Sequence, residues 1–563
     1  MPFVQDPPQL GNQYRDDRVL RDHLARTVPP DVAADIAPSL DDMGRRAAED
    51  LFELNVRYRT AEPELIQWDA WGNRIDEIRI TPAWREYARV AVETGLIATA
   101  YERRHAEHSR VHQMALVYLF HPSSQVYTCP LSMTDGAART LELQAAPALR
   151  ERAIPRLTSR DPARAWTSGQ WMTEQAGGSD VGLSETIARQ SPEGWRLYGK
   201  KWFTSATTSD MALTLARPEG NGPGGRGLAM FYLEQRTPDG RLNGIRINRL
   251  KDKLGTRSVP TAELELDGTL AEPVAGLSDG TRNITPMLNI TRTWNAVCAA
   301  AAMRRGVALA RDYARRRVAF GAPLSEKPLH LDTLAAMQAE TEAAFAIVFH
   351  AVALLGREEL GVVSDEERAV LRVLQPIVKL TTGKQALAVA SETLEAFGGA
   401  GYVEDTGLPV LLRDTQVLSI WEGTTNVLSL DVFRAISREG GLAPYLHTIR
   451  QRASVAGHAS LIPAARAAVA AADHAEAWLA EAQRHNESAL EAGARRFALT
   501  LGRAMELALL IESAEWAIAN RHDGRAAAAA VRFASAGVDC LNAPDEVEAS
   551  NRALAMDEDL ALA

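Results

Sequence analysis

Cysteine is scarce. Only Cys129, Cys298 and Cys540 occur in 563 residues, and none sits in a C-x-x-C pair. This argues against a disulfide framework or a thiolate zinc site, and it predicts a reducing, cytoplasmic setting. The chain opens MPFVQDPPQLGNQYRDD, with no apolar signal core. We find no apolar run near the roughly 18 residues a membrane span needs, so no membrane association is expected. No repeat of fixed period is present. The Gly-rich NGPGGRG stretch at 221–227 lacks a strand-then-helix context and reads as a hairpin loop, not a dinucleotide fingerprint. Positive charge is also short. Lys plus Arg number 62 against 72 acidic residues, a net of −10, which argues against a general nucleic-acid or membrane-surface binder.

What is present is length and an ordinary globular composition, 46% hydrophobic and 24% charged. About three to four domains are expected. Residues 1–165 read as mostly helical and loop-rich, with breaks at Pro82, Pro122, Pro130 and Pro147. Between 166 and 281 the texture changes to short β-type runs such as WRLYG, MALTLAR and LAMFYL. In TAELELDG, Ala262, Leu264 and Leu266 face one way, and Glu263 and Glu265 the other. This predicts an antiparallel barrel or sandwich rather than a parallel sheet. Helical spacing returns over 282–438, where Met303, Val307, Ala310 and Ala314 form one stripe of a bundle helix. Residues 439–563 are Ala-rich and helical, with Phe497, Leu501, Met505 and Ala508 in register.

Several segments carry chemistry or its plainer alternative. WMTEQAGGSDVG at 171–182 is either a polar Gly turn or a loop whose Gly177 and Gly178 admit a phosphate. Trp202 next to Thr204 either walls a planar ring or fills the β core. Lys251, Lys253 and Arg257 read as a solvated hairpin charge cluster. Arg315, Arg316 and Arg317 either complement a helix C-terminus or clamp a phosphate. Glu422, between Ile420-Trp421 and Gly423-Thr424-Thr425, is either a general base with an aromatic neighbour or a carboxylate favoured at a helix N-terminus.

The order of the motifs is more specific than any one of them. The series M-T-E-x-x-x-G-S-D, K-x-W-x-T, K-x-G-x-R-S, R-x-x-F-G, F-G-G-x-G-Y and E-G-T runs from Met172 to Thr424. It resembles the acyl-CoA dehydrogenase family over roughly residues 80–438. RLKDKLGTRS, PLHLDTL, LLRDTQVLSIWEGTTNVLSLDVFR and ELIQWDAWGNRIDEIRITPAW resemble its alkylation-response, AidB-like branch over nearly the whole chain.

The resemblance implies an acyl-CoA dehydrogenase-like fold, mainly α with a central β-barrel domain and an extra C-terminal helical domain. It implies FAD in a cleft between the β-domain and the helical domains, and a helical bundle that builds a homotetramer. Met172, Thr173, Gly178, Ser179, Trp202 and Thr204 match positions around the flavin ring and pyrophosphate, and Thr424 and Asn426 also match FAD contacts. Arg317, Phe320, Glu395, Gly398 and Gly399 match positions that reach a neighbouring subunit's FAD. Arg292 matches a position on the CoA side, and Trp421 and Gly423 border the acyl group. Glu422 matches the base that takes the α-proton while a β-hydride passes to flavin N5. A flavoprotein electron acceptor is the implied partner.

Some residues depart from the pattern. Glu395 stands where many members carry Gln, Ala319 replaces a hydroxyl residue, and Trp421 is bulkier than the frequent Tyr. Two other functions stay open on the sequence: an acyl-CoA oxidase, and a DNA-associated flavoprotein with weak dehydrogenase activity. The second meets an obstacle in residues 441–563, which hold 11 Arg and no Lys against 16 acidic residues, a net of −5. A local patch of Arg495, Arg496, Arg503, Arg521 and Arg525 is its remaining basis.

Overall fold

The structure, a computed structural model, describes residues 6–485, 487–541 and 544–560. The chain divides into two compact units, one of Gly11–Asp16 and Ala34–Cys298, the other of Met1–Leu10, Asp17–Ala33 and Ala299–Ala563. The division falls inside a single helix, Thr285–Arg316.

In the first unit, the helices Ser109–Phe120 and Thr128–Gln144 are buried on nearly every side. A polar knot ties them together. Asp135, fully buried, accepts from Arg110 Nη1 (2.6 Å), Trp294 Nε1 (2.8 Å) and Gln113 Nε2 (3.0 Å), and its other oxygen accepts from Tyr101 Oη (2.8 Å). A buried carboxylate is tolerable only when satisfied in this way.

This helical segment also contains a hairpin that its helical reading omits. β1 (Glu64–Trp68) pairs antiparallel with β2 (Arg74–Arg79). Asp69 makes the turn by accepting from the backbone N–H groups of Trp71 and Asn73 (2.8 Å each), and Gly72 takes φ +82°.

The β region holds seven strands: β3 (Ser168–Trp171), β4 (Ile187–Ser191), β5 (Gly194–Ser205), β6 (Met211–Pro218), β7 (Ala229–Glu234), β8 (Ile245–Leu250) and β9 (Thr261–Pro273). They pair in the order β3-β6-β4-β5-β9-β7, with β8 on β9 and β7 returning to β6. The expectation of an antiparallel barrel or sandwich needs correction. β3 and β4 both pair parallel to β6. The ring of pairings also passes through two seams, β4–β6 and β7–β9, of only two residue pairs each. The alternation in β9 is as expected, with Ala262, Leu264 and Leu266 at most 2% exposed in a core they share with Trp171, Leu197 and Phe231.

The second unit is helical. Pro328–Glu359, Asp365–Ala396, Thr425–Glu439 and Glu487–Arg521 are its main helices. Ser364 starts the second with a capping box, its side chain accepting from Glu367 N while Glu367 accepts from Ser364 N. Pro328–Glu359 corrects the expectation that no run is long and apolar enough to span a membrane. An 18-residue stretch there is apolar enough to cross a bilayer, but 83% of it is buried inside the fold. It is a core helix.

His23 packs edge-on against Phe345 and Phe349, at 5.4 and 5.3 Å between ring centres. Burial, then the nearby Arg26, pushes its pKa down to about 3. The unfolded chain therefore takes up this proton first as the pH falls. The neutral ring's contribution is intact above about pH 6.5 and is lost progressively towards pH 3. His23→Leu is expected to flatten the decline in melting temperature between pH 7 and pH 4. An unchanged slope would remove His23 from the acid response.

Candidate active site

Within the helical unit, Glu422 sits in an irregular link. Ile420 N and Trp421 N both bond to Val417 O, at 2.8 and 3.1 Å. Two left-handed residues follow, Glu422 at φ +59° and Gly423 at +106°. A Cβ on Gly423 would lie 3.0 Å from Leu428 Cδ2, so glycine is required on both counts. Thr424 then caps Thr425–Glu439, its Oγ1 accepting from Val427 N at 3.5 Å. Glu422 thus lies two residues before the cap, and the first turn of that helix holds no acidic residue. The reading of Glu422 as a helix-start carboxylate does not hold. Its side chain is half-buried beside half-buried Trp421, and a left-handed non-glycine residue costs about 1 kcal/mol.

Most of the other expected residues of this unit lie on open surface, and Arg317 is half-buried. Gly398 (φ +60°) and Gly399 have nothing within 4 Å of a built Cβ. Glu395 and Asn426 are exposed. Arg317 closes the helix end, with its N–H on Tyr313 O at 2.8 Å. Phe320 is 98% exposed at φ +49°. Of the neighbouring arginines, Arg316 donates to Pro7 O (2.7 Å) and to Asp312.

In the first unit, Met172 and Thr173 open the loop that runs to Ser179. Thr173 O accepts from Trp202 N at 2.9 Å. Glu174, 4% exposed, accepts from Glu185 N (2.6 Å), Thr186 Oγ1 (2.6 Å) and the fully buried Lys201 Nζ (2.7 Å). Lys201 donates also to Leu215 O (2.8 Å). Burial opposes charge on Glu174, but Lys201 and the other donors hold its carboxyl below the usual range. Beyond these anchors Gly178, Ser179 and Asp180 are exposed.

Trp202 does not fill the β core; Trp171 does, at 1% exposure. Trp202 is half-buried, with Lys251 Nζ 3.5 Å from its ring centre and Glu263 2.6 Å from that ammonium. Thr204 is 1% exposed and donates to Ala262 O at 2.6 Å, so its hydroxyl proton is already engaged. Of the expected solvated cluster, Lys251 and Lys253 are half-buried instead, while Arg257 is exposed as expected. Lys253 Nζ donates to Thr256 O, Val259 O and Thr261 Oγ1 at 2.7–3.0 Å, and Arg257 pairs with Glu62 at 2.5 Å. Arg292 is half-buried on Thr285–Arg316. Sequence reasoning missed Lys201 with Glu174, and it missed Lys379, whose Nζ donates to Gly423 O at 2.6 Å.

Three arginines of the expected phosphate-binding patch are ion-paired, and of these Arg521 stays exposed. Arg503 pairs with Glu340 at 3.0 Å, Arg525 with Glu342 at 2.5 Å and Arg521 with Asp22 at 3.1 Å. Arg503 and Arg525 are thus engaged with half-buried or buried carboxylates, and Arg521 with a carboxylate at the surface.

Comparison with known proteins identifies the family. The chain matches the acyl-CoA dehydrogenase middle domain at 169–269 and C-terminal domain at 278–437. It matches the adaptive response protein AidB N-terminal domain at 5–162 and an acyl-CoA dehydrogenase 11 C-terminal-like domain at 442–561. The chain belongs to the acyl-CoA dehydrogenase family of oxidoreductases. Within it, the chain is similar to acyl-CoA dehydrogenase family member 11 of Caenorhabditis elegans, 43% identical over 92% of this chain and 87% of that one. The solved structure of that nematode protein with C11-CoA covers 100% of this chain and 98% of its own, at TM-score 0.94 and 39% identity. The putative acyl-CoA dehydrogenase AidB of Escherichia coli is 34% identical over 69% of this chain and 72% of its own.

Proposed function

We propose that this protein is an FAD-dependent acyl-CoA dehydrogenase in which Glu422 removes the α-proton of an acyl thioester. The carrying observation is Glu422 itself, a half-buried carboxylate in a left-handed backbone, next to Trp421 and before a Thr-capped helix.

The residues present suit FAD. The exposed Gly178-Ser179 segment offers backbone and hydroxyl donors for a pyrophosphate. Trp202 offers a flat face whose ring already carries a cation. Thr173 adds a polar group on the first unit; on the helical unit, Thr424 and Asn426 are the polar groups expected to contact FAD. When bound, FAD supplies the acceptor for the β-hydride.

The remaining chemistry belongs to the chain. The Glu422 N–H donates to the thioester carbonyl and stabilises charge developing there as the α-carbon is deprotonated. The Glu422 carboxylate takes that proton. Trp421 and Gly423 border the acyl chain and exclude water, and Arg292 lies on the CoA side. The nematode relative's C11-CoA makes a medium-length acyl-CoA the first substrate to try. A flavoprotein in the cytoplasm would be the electron acceptor. The test is an anaerobic titration of the purified yellow protein with acyl-CoAs of graded length. Bleaching of the flavin band supports the reading; a spectrum unmoved by every thioester refutes it.

We also propose that the chain works as a homotetramer. Phe320, Tyr402 and Leu329 are 98%, 90% and 81% exposed, in or near the segments that match neighbour-contacting positions. Phe320→Glu is expected to lower the mass measured by light scattering below that of four chains. A wild-type mass would disprove a role for this face in assembly.

A further inference from the structure

We propose that Lys379 is a positioning residue for the base: its ammonium fixes the Gly423 carbonyl and so holds Glu422 in the backbone conformation that serves proton abstraction. This rests on the reading of Glu422 as the base.

Lys379 is 0% exposed, in a stretch of Asp365–Ala396 where Val378, Leu380, Thr381, Thr382 and Gly383 are also buried. Placing an ammonium there is costly before its partners are counted. A leucine or methionine would satisfy both the helix and the packing. What the ammonium adds is a charge-assisted hydrogen bond, 2.6 Å to Gly423 O, roughly twice as strong as a neutral one.

That bond falls where the chain most needs restraint. Glu422 and Gly423 are consecutive left-handed residues, and such conformations persist only when their surroundings over-determine them. On one side Leu428 crowds Gly423, with 3.0 Å to a built Cβ. On the other, Gly383 lies one turn beyond Lys379 on the same helix face, and a Cβ there would stand 2.9 Å from Leu418 O. Two turns before Lys379, Arg372 pairs with Asp431 at 3.5 Å. One helix face thus grips the segment 418–431 at three points, and the middle grip is next to the base. A carboxylate displaced by about 1 Å loses on the order of 100-fold in rate.

The test compares Lys379→Met, Gly383→Ala and Glu422→Gln by anaerobic stopped-flow with acyl-CoA, and by amide exchange of the peptide spanning 418–427 in the flavin-free protein. K379M is expected to hold flavin and to bind acyl-CoA within about threefold of wild type, yet to be reduced about 100-fold more slowly at saturation, with faster exchange in that peptide. If K379M does not fold, G383A presses the same segment from the same helix and carries the same expectation. Reduction at the wild-type rate in whichever of the two folds overturns the inference. So does a loss confined to acyl-CoA affinity. A dead E422Q beside a wild-type K379M sinks this inference alone. An E422Q that is still reduced leaves nothing to position and sinks the parent reading with it.

Discussion

Glu422→Gln is expected to purify with wild-type flavin content and to be reduced by acyl-CoA about 1,000-fold more slowly than the parent. The amide matches the carboxylate in shape, so the half-buried position beside Trp421 stays filled. The backbone N–H of residue 422 is untouched, so substrate binding should change little. What disappears is the proton acceptor, and a positioned base contributes roughly 10²- to 10⁴-fold. Exchange of the substrate's α-protons with heavy water, monitored apart from the flavin, should vanish in the same variant. If exchange persists while reduction stops, residue 422 serves a later step and another group takes the proton. If both persist, the site lies elsewhere.

Much of this was legible in the sequence, because the informative residues are ones whose chemistry contradicts their surroundings. Glu422 between Trp421 and Gly423 is a carboxylate set among apolar and small neighbours, and the order of the motifs around it identified the family. The alternation of β9 gave its buried face without reference to neighbouring strands, since a period of two follows from the backbone alone. Strand partners do not follow from the backbone. The parallel pairings of β3 and β4 with β6 depend on loops too long to be read as hairpins. The two tryptophans show a similar limit. Trp171 and Trp202 both lie in β-type segments, and only packing decides that the first fills the core and the second keeps an open edge under Lys251. Lys379 was visible in principle, as a single cation in the run PIVKLTT. Its function could not be read, because its partner lies 44 residues away. The hairpin at 64–79 was missed for a simpler reason: LIQW and RIDEIR alternate around a D-A-W-G-N turn, but helical segments surround them.

Lys201→Met should produce the largest stability effect in the β region. It removes the ammonium that faces Glu174 at 2.7 Å and leaves a carboxylate that is only 4% exposed. Breaking such a pair from one side costs about 3–5 kcal/mol, mostly the penalty of the stranded charge. Glu174→Gln/Lys201→Met should recover most of that loss, because an amide can still accept from Thr186 and Glu185. The pH dependence separates this account from a packing defect. In the parent, Lys201 and the backbone hold Glu174 below the usual carboxylate range, so its contribution is present at neutral pH and declines as the pH falls through that range. In K201M burial acts without the ammonium and raises the folded-state pKa of Glu174. The sign then inverts: stability should rise as the pH is lowered from 7 towards 5, as the buried carboxyl takes up its proton. Because Glu174 follows Thr173, whose carbonyl is tied to Trp202 N, the same variant should release the loop that runs to Ser179 and lose flavin more readily. Melting curves of K201M that fall with decreasing pH in parallel with the parent would show that Glu174 carries no stranded charge. The 171–180 segment would then be held by something other than this pair.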